Sequence, residues 1–132
     1  MSNIDLSKIE TIAICTPDNS GRLIGKRIPK DRWEELQRDG MLMPNFHLVT
    51  NIENEPYTDM DVTGYSTGFK NGLLYSDDPK LRRMPFEAGT ALSLANVYDS
   101  DRLKVQEAPR SILENQLELL ENIDLSAECS TE

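Results

Sequence analysis

The stretch from Thr16 to Pro29, TPDNSGRLIGKRIP, restricts the possible folds of this chain more than any other. Pro17-Asp18-Asn19-Ser20-Gly21 is a run of turn formers. Proline fixes φ, the Asp and Asn side chains bond nearby backbone, and glycine accepts φ > 0. Thr11–Cys15 before it is an apolar run and Arg22-Leu23-Ile24 after it is apolar enough for a short strand, so Thr11–Cys15 and Arg22–Ile28 are expected to form a β-hairpin. Gly25-Lys26-Arg27 adds two adjacent cations beside a flexible residue. Pro29 then opens a helix over about Lys30–Asp39 that Gly40 closes, the asymmetry expected of helix ends. Trp33 and Leu36, three apart, share its buried face.

The remainder alternates between readable and irregular. Ile4, Leu6 and Ile9 give residues 2–9 the pattern of a short amphipathic turn. Met41–Thr50, with Phe46, Leu48, Val49 and Thr50, predicts a strand. Between Asn51 and Arg83 periodicity fades among Gly64, Gly68, Gly72, Pro56 and Pro79. An irregular stretch of that length reads as a functional loop region, with short strands at Met60–Val62 and Leu73–Tyr75. Thr90–Tyr98 places Leu92, Leu94 and Tyr98 on one face of a strand. Ala108-Pro109 starts a second helix, Arg110 to about Asn122, striped by Leu113, Leu117 and Leu120 and widened by Ile112, Leu119 and Ile123. So wide a stripe calls for cover on more than one side, from its own sheet, from something past residue 132, or from another chain.

Composition narrows the function classes. At 132 residues the chain suffices for one domain, burying roughly 65–70% of its unfolded surface. A net charge of -9 argues against nucleic acid, which demands a cationic face; Lys26-Arg27 and Arg82-Arg83 are local exceptions. No apolar run approaches the ~20 residues of a membrane span, and MSNIDLSKIE lacks the regions of a signal peptide, so a cytoplasmic location is the default expectation. Cys15 reads as a small buried hydrophobe and Cys129 as part of a polar tail. One histidine, His47, and no Cys-x-x-Cys leave no zinc pattern. His47, among Phe46, Leu48 and Val49, is expected to be held by backbone and not to act as a base.

Asp18-x-x-Gly21-Arg22-x-x-Gly25-Lys26-Arg27-x-Pro29 resembles the first hairpin of the glutamine synthetase superfamily, closest to its γ-glutamyl-polyamine branch. Pro85-Phe86-Glu87-x-Gly89-Thr90-Ala91, Asn96-Val97-Tyr98-Asp99 and Ala108-Pro109-Arg110-x-Ile112-Leu113 follow in matching order. The resemblance implies the N-terminal β-grasp domain, an α+β fold with a mixed sheet over one helix. On that reading residues 1–107 form the domain, and residues 108–132 a helix and the start of a linker to a catalytic domain.

The resemblance also implies an activity: ATP-dependent joining of glutamate to ammonia or an amine, with Mg or Mn. Such chemistry converges several carboxylates on divalent cations, and the family keeps these in its larger C-terminal domain. No catalytic, cofactor or metal residue is therefore expected here. Glu132 would match the first member of a Glu-x-Glu pair whose second is not in this sequence, and a solvated glutamate describes it more simply. In the assembled ring the N-terminal domain lends a neighbour a loop that closes the amine end of the site. The matching loop is Tyr65–Asp78, with Tyr65, Ser66, Asn71 and Asp77 as candidate closing residues. The family's ammonium-holding Asp-Gly-Ser-Ser is replaced here by Thr63-Gly64-Tyr65-Ser66, and the Asp-Met before its Pro-Asp by Asn71-Gly72, then Ser76-Asp77, which favours a bulkier amine or no substrate at all. Asp59, Asp61, Asp77 and Asp78 could pair with a cationic amine, although turn capping explains them more simply.

Two readings follow. One is the non-catalytic N-terminal part of a γ-glutamyl-amine ligase, working with a catalytic domain in a homo- or hetero-oligomer. The other is a stand-alone module that binds or caps full-length synthetase subunits. An independent small enzyme is rejected, because no nucleophile–base pair or phosphate-binding glycine loop is present.

Overall fold

The computed structural model describes residues 4–58, 60–76 and 80–130. The hairpin forms as expected: β1 (Thr11–Pro17) and β2 (Leu23–Pro29) pair antiparallel, with Cys15 opposite Gly25. A Cβ at Gly25 would stand 1.9 Å from the Ile14 carbonyl oxygen, so only glycine lets these backbones approach.

Past Pro29 a 3₁₀ turn, Lys30–Arg32, leads into α1 (Trp33–Asp39). Proline thus ends the strand and caps the turn, and the predicted helix is split between two helical types. Gly40 closes α1 at φ 77°, its N–H donating to the Leu36 carbonyl. A side chain there would meet the Tyr75 ring, whose hydroxyl donates to the Asp39 carbonyl at 2.8 Å.

Met41–Thr50 departs from the expected strand. Only β3 (Met41–Pro44) is extended; a 3₁₀ helix, Asn45–Val49, follows. Pro44 has no N–H with which to continue the ladder, and the Asn45 N–H turns instead to the Lys70 carbonyl. Met60–Val62 is likewise not a strand but a series of bends. Leu73–Tyr75 belongs to a longer strand, β4 (Asn71–Tyr75), and Arg82–Arg83 forms the short β5.

The predicted strand Thr90–Tyr98 is two strands, β6 (Thr90–Leu94) and β7 (Asn96–Tyr98), in different sheets. The first sheet has the order β2-β1-β6-β5 and is mixed, since β1 and β6 run parallel. The second, β3-β4-β7, is antiparallel. At the crossing Ala95 is fully buried and its N–H donates to the Cys15 carbonyl. The expected α+β fold with a mixed sheet is present, and a second sheet stands beside it.

Ile12, Ile14, Met41, Met43, Leu74, Ala91 and Val97 make the core, with Leu48 and Val49 of the 3₁₀ helix closing it. Trp33 and Leu36 pack against its edge, as their spacing predicts. In β6 the interior side is Ala91 and Ser93, while Leu92 and Leu94 are half-buried on the other face. Among the described residues no helix is long and apolar enough to cross a membrane.

The last helix, α2 (Pro109–Glu121), lies against β1 and β7 by its polar side. Ser111 is fully buried, Glu114 bonds Asn96 and Lys104, and Asn115 donates to Gln106. Ile112, Leu113, Leu119, Leu120 and Ile123 fall within about 120° of one another on the opposite side. Ile112, Leu113, Leu119 and Ile123 are 50–64% exposed. Of the stripe read from the sequence, these four stand away from the sheets, while Leu117 and Leu120 are half-buried.

Candidate functional site

The four motifs that carry the resemblance build three joints. The first is the hairpin tip. The buried Asp18 carboxylate accepts from the Ser20 N–H at 2.9 Å, the Arg22 N–H at 2.8 Å and the Arg22 Nε at 2.7 Å. Arg22 then reaches across to the carbonyls of Ile52 (2.6 Å) and Asn51 (3.1 Å), and Asn19 to that of Leu48 (2.5 Å). Burial works against the charge on Asp18, but the bonds from Arg22 and Ser20 outweigh it and hold the carboxyl below its ordinary value. Gly21, at φ 77°, makes the turn possible.

The second joint pairs Arg27 with Glu87 through two hydrogen bonds, linking the hairpin to the Pro85–Ala91 motif. The arginine lowers the Glu87 pKa. Beside it Phe86 is 98% exposed.

The third joins the last two motifs. Buried Asn96 donates to Glu114 at 3.0 Å and accepts from Arg110 Nε at 2.5 Å, while Lys104 reaches Glu114 at 2.8 Å. Burial opposes the Glu114 charge, and the bonds from Lys104 and Asn96 overcome it, so its pKa is lowered.

The expected closing loop, Tyr65–Asp78, is not one loop: residues 64–69 form a compact turn and Asn71–Tyr75 is strand β4. The Gly64 N–H donates to Thr67 Oγ1 at 2.8 Å, and the Phe69 N–H returns to the Gly64 carbonyl at 3.1 Å. Phe69 occupies φ 49°, and its ring meets Tyr65 edge-on at 4.9 Å. Tyr65 is 70% exposed and Ser66 is exposed beside it. Asn71 is separate from them: it opens β4 opposite Pro44 and lines a cleft of about 350 Å³ with Asn45, Lys70, Asp99 and Lys104. Asp61 is exposed. Asp59, Asp77, Asp78 and Glu132 lie outside the described residues.

Sequence reasoning missed Asn45. Its side-chain oxygen is buried at the cleft with no hydrogen-bond partner and would meet a Cβ on Gly72 at 2.0 Å. Hidden inside an apparent strand, it gave no periodic signal; the preceding Pro44 was the available clue. His47 is buried, with Nδ1 3.0 Å from the Pro44 carbonyl, and burial pushes its pKa down. Cys15 and Cys129 are free thiols. Among the described residues no cluster of three or more His, Cys, Asp or Glu could hold a metal ion, so these residues do not fit one.

No family model matches the sequence. Over 125 residues, 94% of this chain, it is 30% identical to the γ-glutamylethanolamide synthetase GlnA4 of Streptomyces coelicolor, of which it covers 27%. Its fold matches a glutamine synthase homologue with a TM-score of 0.71 at 16% identity, covering 93% of this chain and 29% of that one. Ligand-free GmaS matches with a TM-score of 0.67 at 22% identity, over 88% of this chain and 24% of GmaS. A GmaS complex with ADP matches with a TM-score of 0.67 at 19% identity, over 93% and 26%. The chain thus spans about a quarter of the length of the relatives it matches. Over that quarter the chain is similar in sequence to a γ-glutamylethanolamide synthetase and in fold to a glutamine synthase homologue and to GmaS.

Proposed function

We propose that this chain is the small, non-catalytic domain of a glutamine-synthetase-like ligase that forms γ-glutamyl amides from glutamate, ATP and an amine. The observation that carries this reading is the match of 94% of the chain to 27% of a γ-glutamylethanolamide synthetase. The motifs behind the resemblance support it: in this chain they are joints, and a domain of this kind serves by presenting surfaces. On this reading, metal and nucleotide are held by the catalytic part of the ligase.

The Gly64–Phe69 turn, with Tyr65 outward, is the part that approaches the amine end of a partner's site, and Phe86 is a second apolar contact on that partner. The complex forms in the cytoplasm, with a catalytic chain in a mixed or single-type oligomer. The test is an assay for ATP-dependent γ-glutamyl amide formation. The isolated chain turns over no glutamate, and when mixed with a full-length γ-glutamyl ligase it co-migrates with that enzyme and alters its rate. Turnover by the purified chain alone overturns the proposal. A stable complex with intact full-length subunits whose rate falls assigns the chain the capping role instead.

A further inference from the structure

The cleft of about 350 Å³ lies between the segment leading into β4 and the turn that follows β7. Its volume is at the small end of the roughly 300–1,000 Å³ of ligand sites, so it suits a molecule the size of an amino acid. Lys70, just before β4, and Asp99, just after β7, both line it. Among the described residues the Lys70 ammonium has no hydrogen-bond or ion-pair partner. Asp99 uses one carboxylate oxygen, Oδ1, to hold its turn, accepting from the Asp101 and Leu103 N–H groups at 2.9 Å each. Its Oδ2 has no partner among the described residues. Opposite charges thus share one small cleft without pairing with each other.

The rest of the lining narrows the ligand. Glu107 adds a second carboxylate, and Lys104 is already tied to Glu114 at 2.8 Å. A molecule carrying only negative charge would approach Lys70 but meet two carboxylates in the same space. One carrying only positive charge would meet two ammonium groups. A molecule with both charges answers each in turn. Asn45, 6% exposed, is the buried member of the lining, and its Oδ1 has no donor. A buried amide oxygen left without a donor is costly, so this wall favours a ligand that brings N–H groups. Val105, half-buried, and the exposed Leu103 give an apolar side.

We propose that this cleft binds a small, net-neutral amino acid, its carboxylate accepting from the Lys70 ammonium and its own ammonium donating to Asp99 Oδ2. The proposal does not depend on the ligase reading, and its test contains neither ligase nor ATP. The ¹⁵N-labelled chain is titrated with L-valine, whose side chain suits the Leu103–Val105 wall, and followed by NMR. Saturable shifts are expected in the amides of residues 70–71 and 99–107. Isobutylamine and isovalerate each carry one of valine's two charges, and each binds about tenfold weaker or more. Valine binding weakens equally in Lys70→Gln, an exposed substitution that leaves the melting temperature within error. It weakens also in Asp99→Asn, which keeps an acceptor for the turn and removes the charge. No saturable shift with L-valine, shifts confined to other residues, equal binding of either single-charge analogue, or undiminished binding to Lys70→Gln overturns the proposal.

Discussion

Asp18 shows how a short polar motif does structural work at the scale of one residue. Its carboxylate, 3% exposed, organises the turn that holds β1 to β2, and through Arg22 it ties that turn to the 49–52 segment. Asp18→Asn keeps the shape but removes the charge, and at pH 7 should cost about 1–3 kcal/mol in a urea titration. Because the folded-state pKa lies below the ordinary value, this stabilisation is full above about pH 4 and is lost as the pH falls through the folded value. The gap between wild type and variant should therefore close in acid; a gap unchanged down to about pH 2 contradicts the assignment. His47 offers a second titration, unambiguous because the chain has one histidine. Burial lowers its pKa, so its ring proton resonances should titrate below about 6.5, and stability should decline as pH drops below that value. A midpoint at or above the ordinary value contradicts a buried neutral ring. These roles were partly legible: the turn composition showed the hairpin, and the apolar neighbours of His47 showed its burial. That Arg22 reaches residues 51 and 52 was not, since sequence proximity says nothing of contacts about 30 residues apart.

Among the elements, the second sheet rests on close approach. A Cβ on Gly72 would lie 2.0 Å from Asn45 Oδ1 and 2.6 Å from the Tyr98 carbonyl, so β3, β4 and β7 converge only over glycine. Gly72→Ala should destabilise the fold by about 1–3 kcal/mol, the cost of overpacking a tight site, measured by thermal melting; a neutral substitution would place the strands further apart than described. Helix α2 depends on Glu114 in a comparable way. Glu114→Ala leaves Asn96, Lys104 and Arg110 without their shared acceptor, and amide exchange in residues 109–121 should accelerate relative to β1. Unchanged protection would show that the helix is held by other contacts. The sequence signals failed here for an identifiable reason. Leucines at alternate positions of residues 90–98 suggested one strand with a leucine face, but the interior of β6 takes Ala91 and Ser93, and Ala95 moves the chain into the other sheet. Small side chains at a tight packing position leave no hydrophobic signature. The apolar periodicity of α2 is present, but Ile112, Leu113, Leu119 and Ile123 are exposed and do not pack on this chain's sheets.

For the whole molecule, two sheets and three motif-built joints form the ordered interior, and the turn at Tyr65 and the side chain of Phe86 stand on its exterior. Phe86, 98% exposed in a chain with three phenylalanines, is the more exposed of the two. Phe86→Ser should leave the melting temperature within error, as an exposed side chain contributes little to folding, and should weaken binding to a γ-glutamyl ligase about tenfold or more, as losing an apolar anchor does. Equal binding would remove that loop from the interface. The central claim, that the chain works as the small domain of a γ-glutamyl ligase, is tested most directly by native mass spectrometry of the chain recovered from its own cells. The account predicts an assembly that contains a synthetase catalytic chain in fixed ratio to this one. Recovery of this chain by itself, or only with copies of itself, would contradict it.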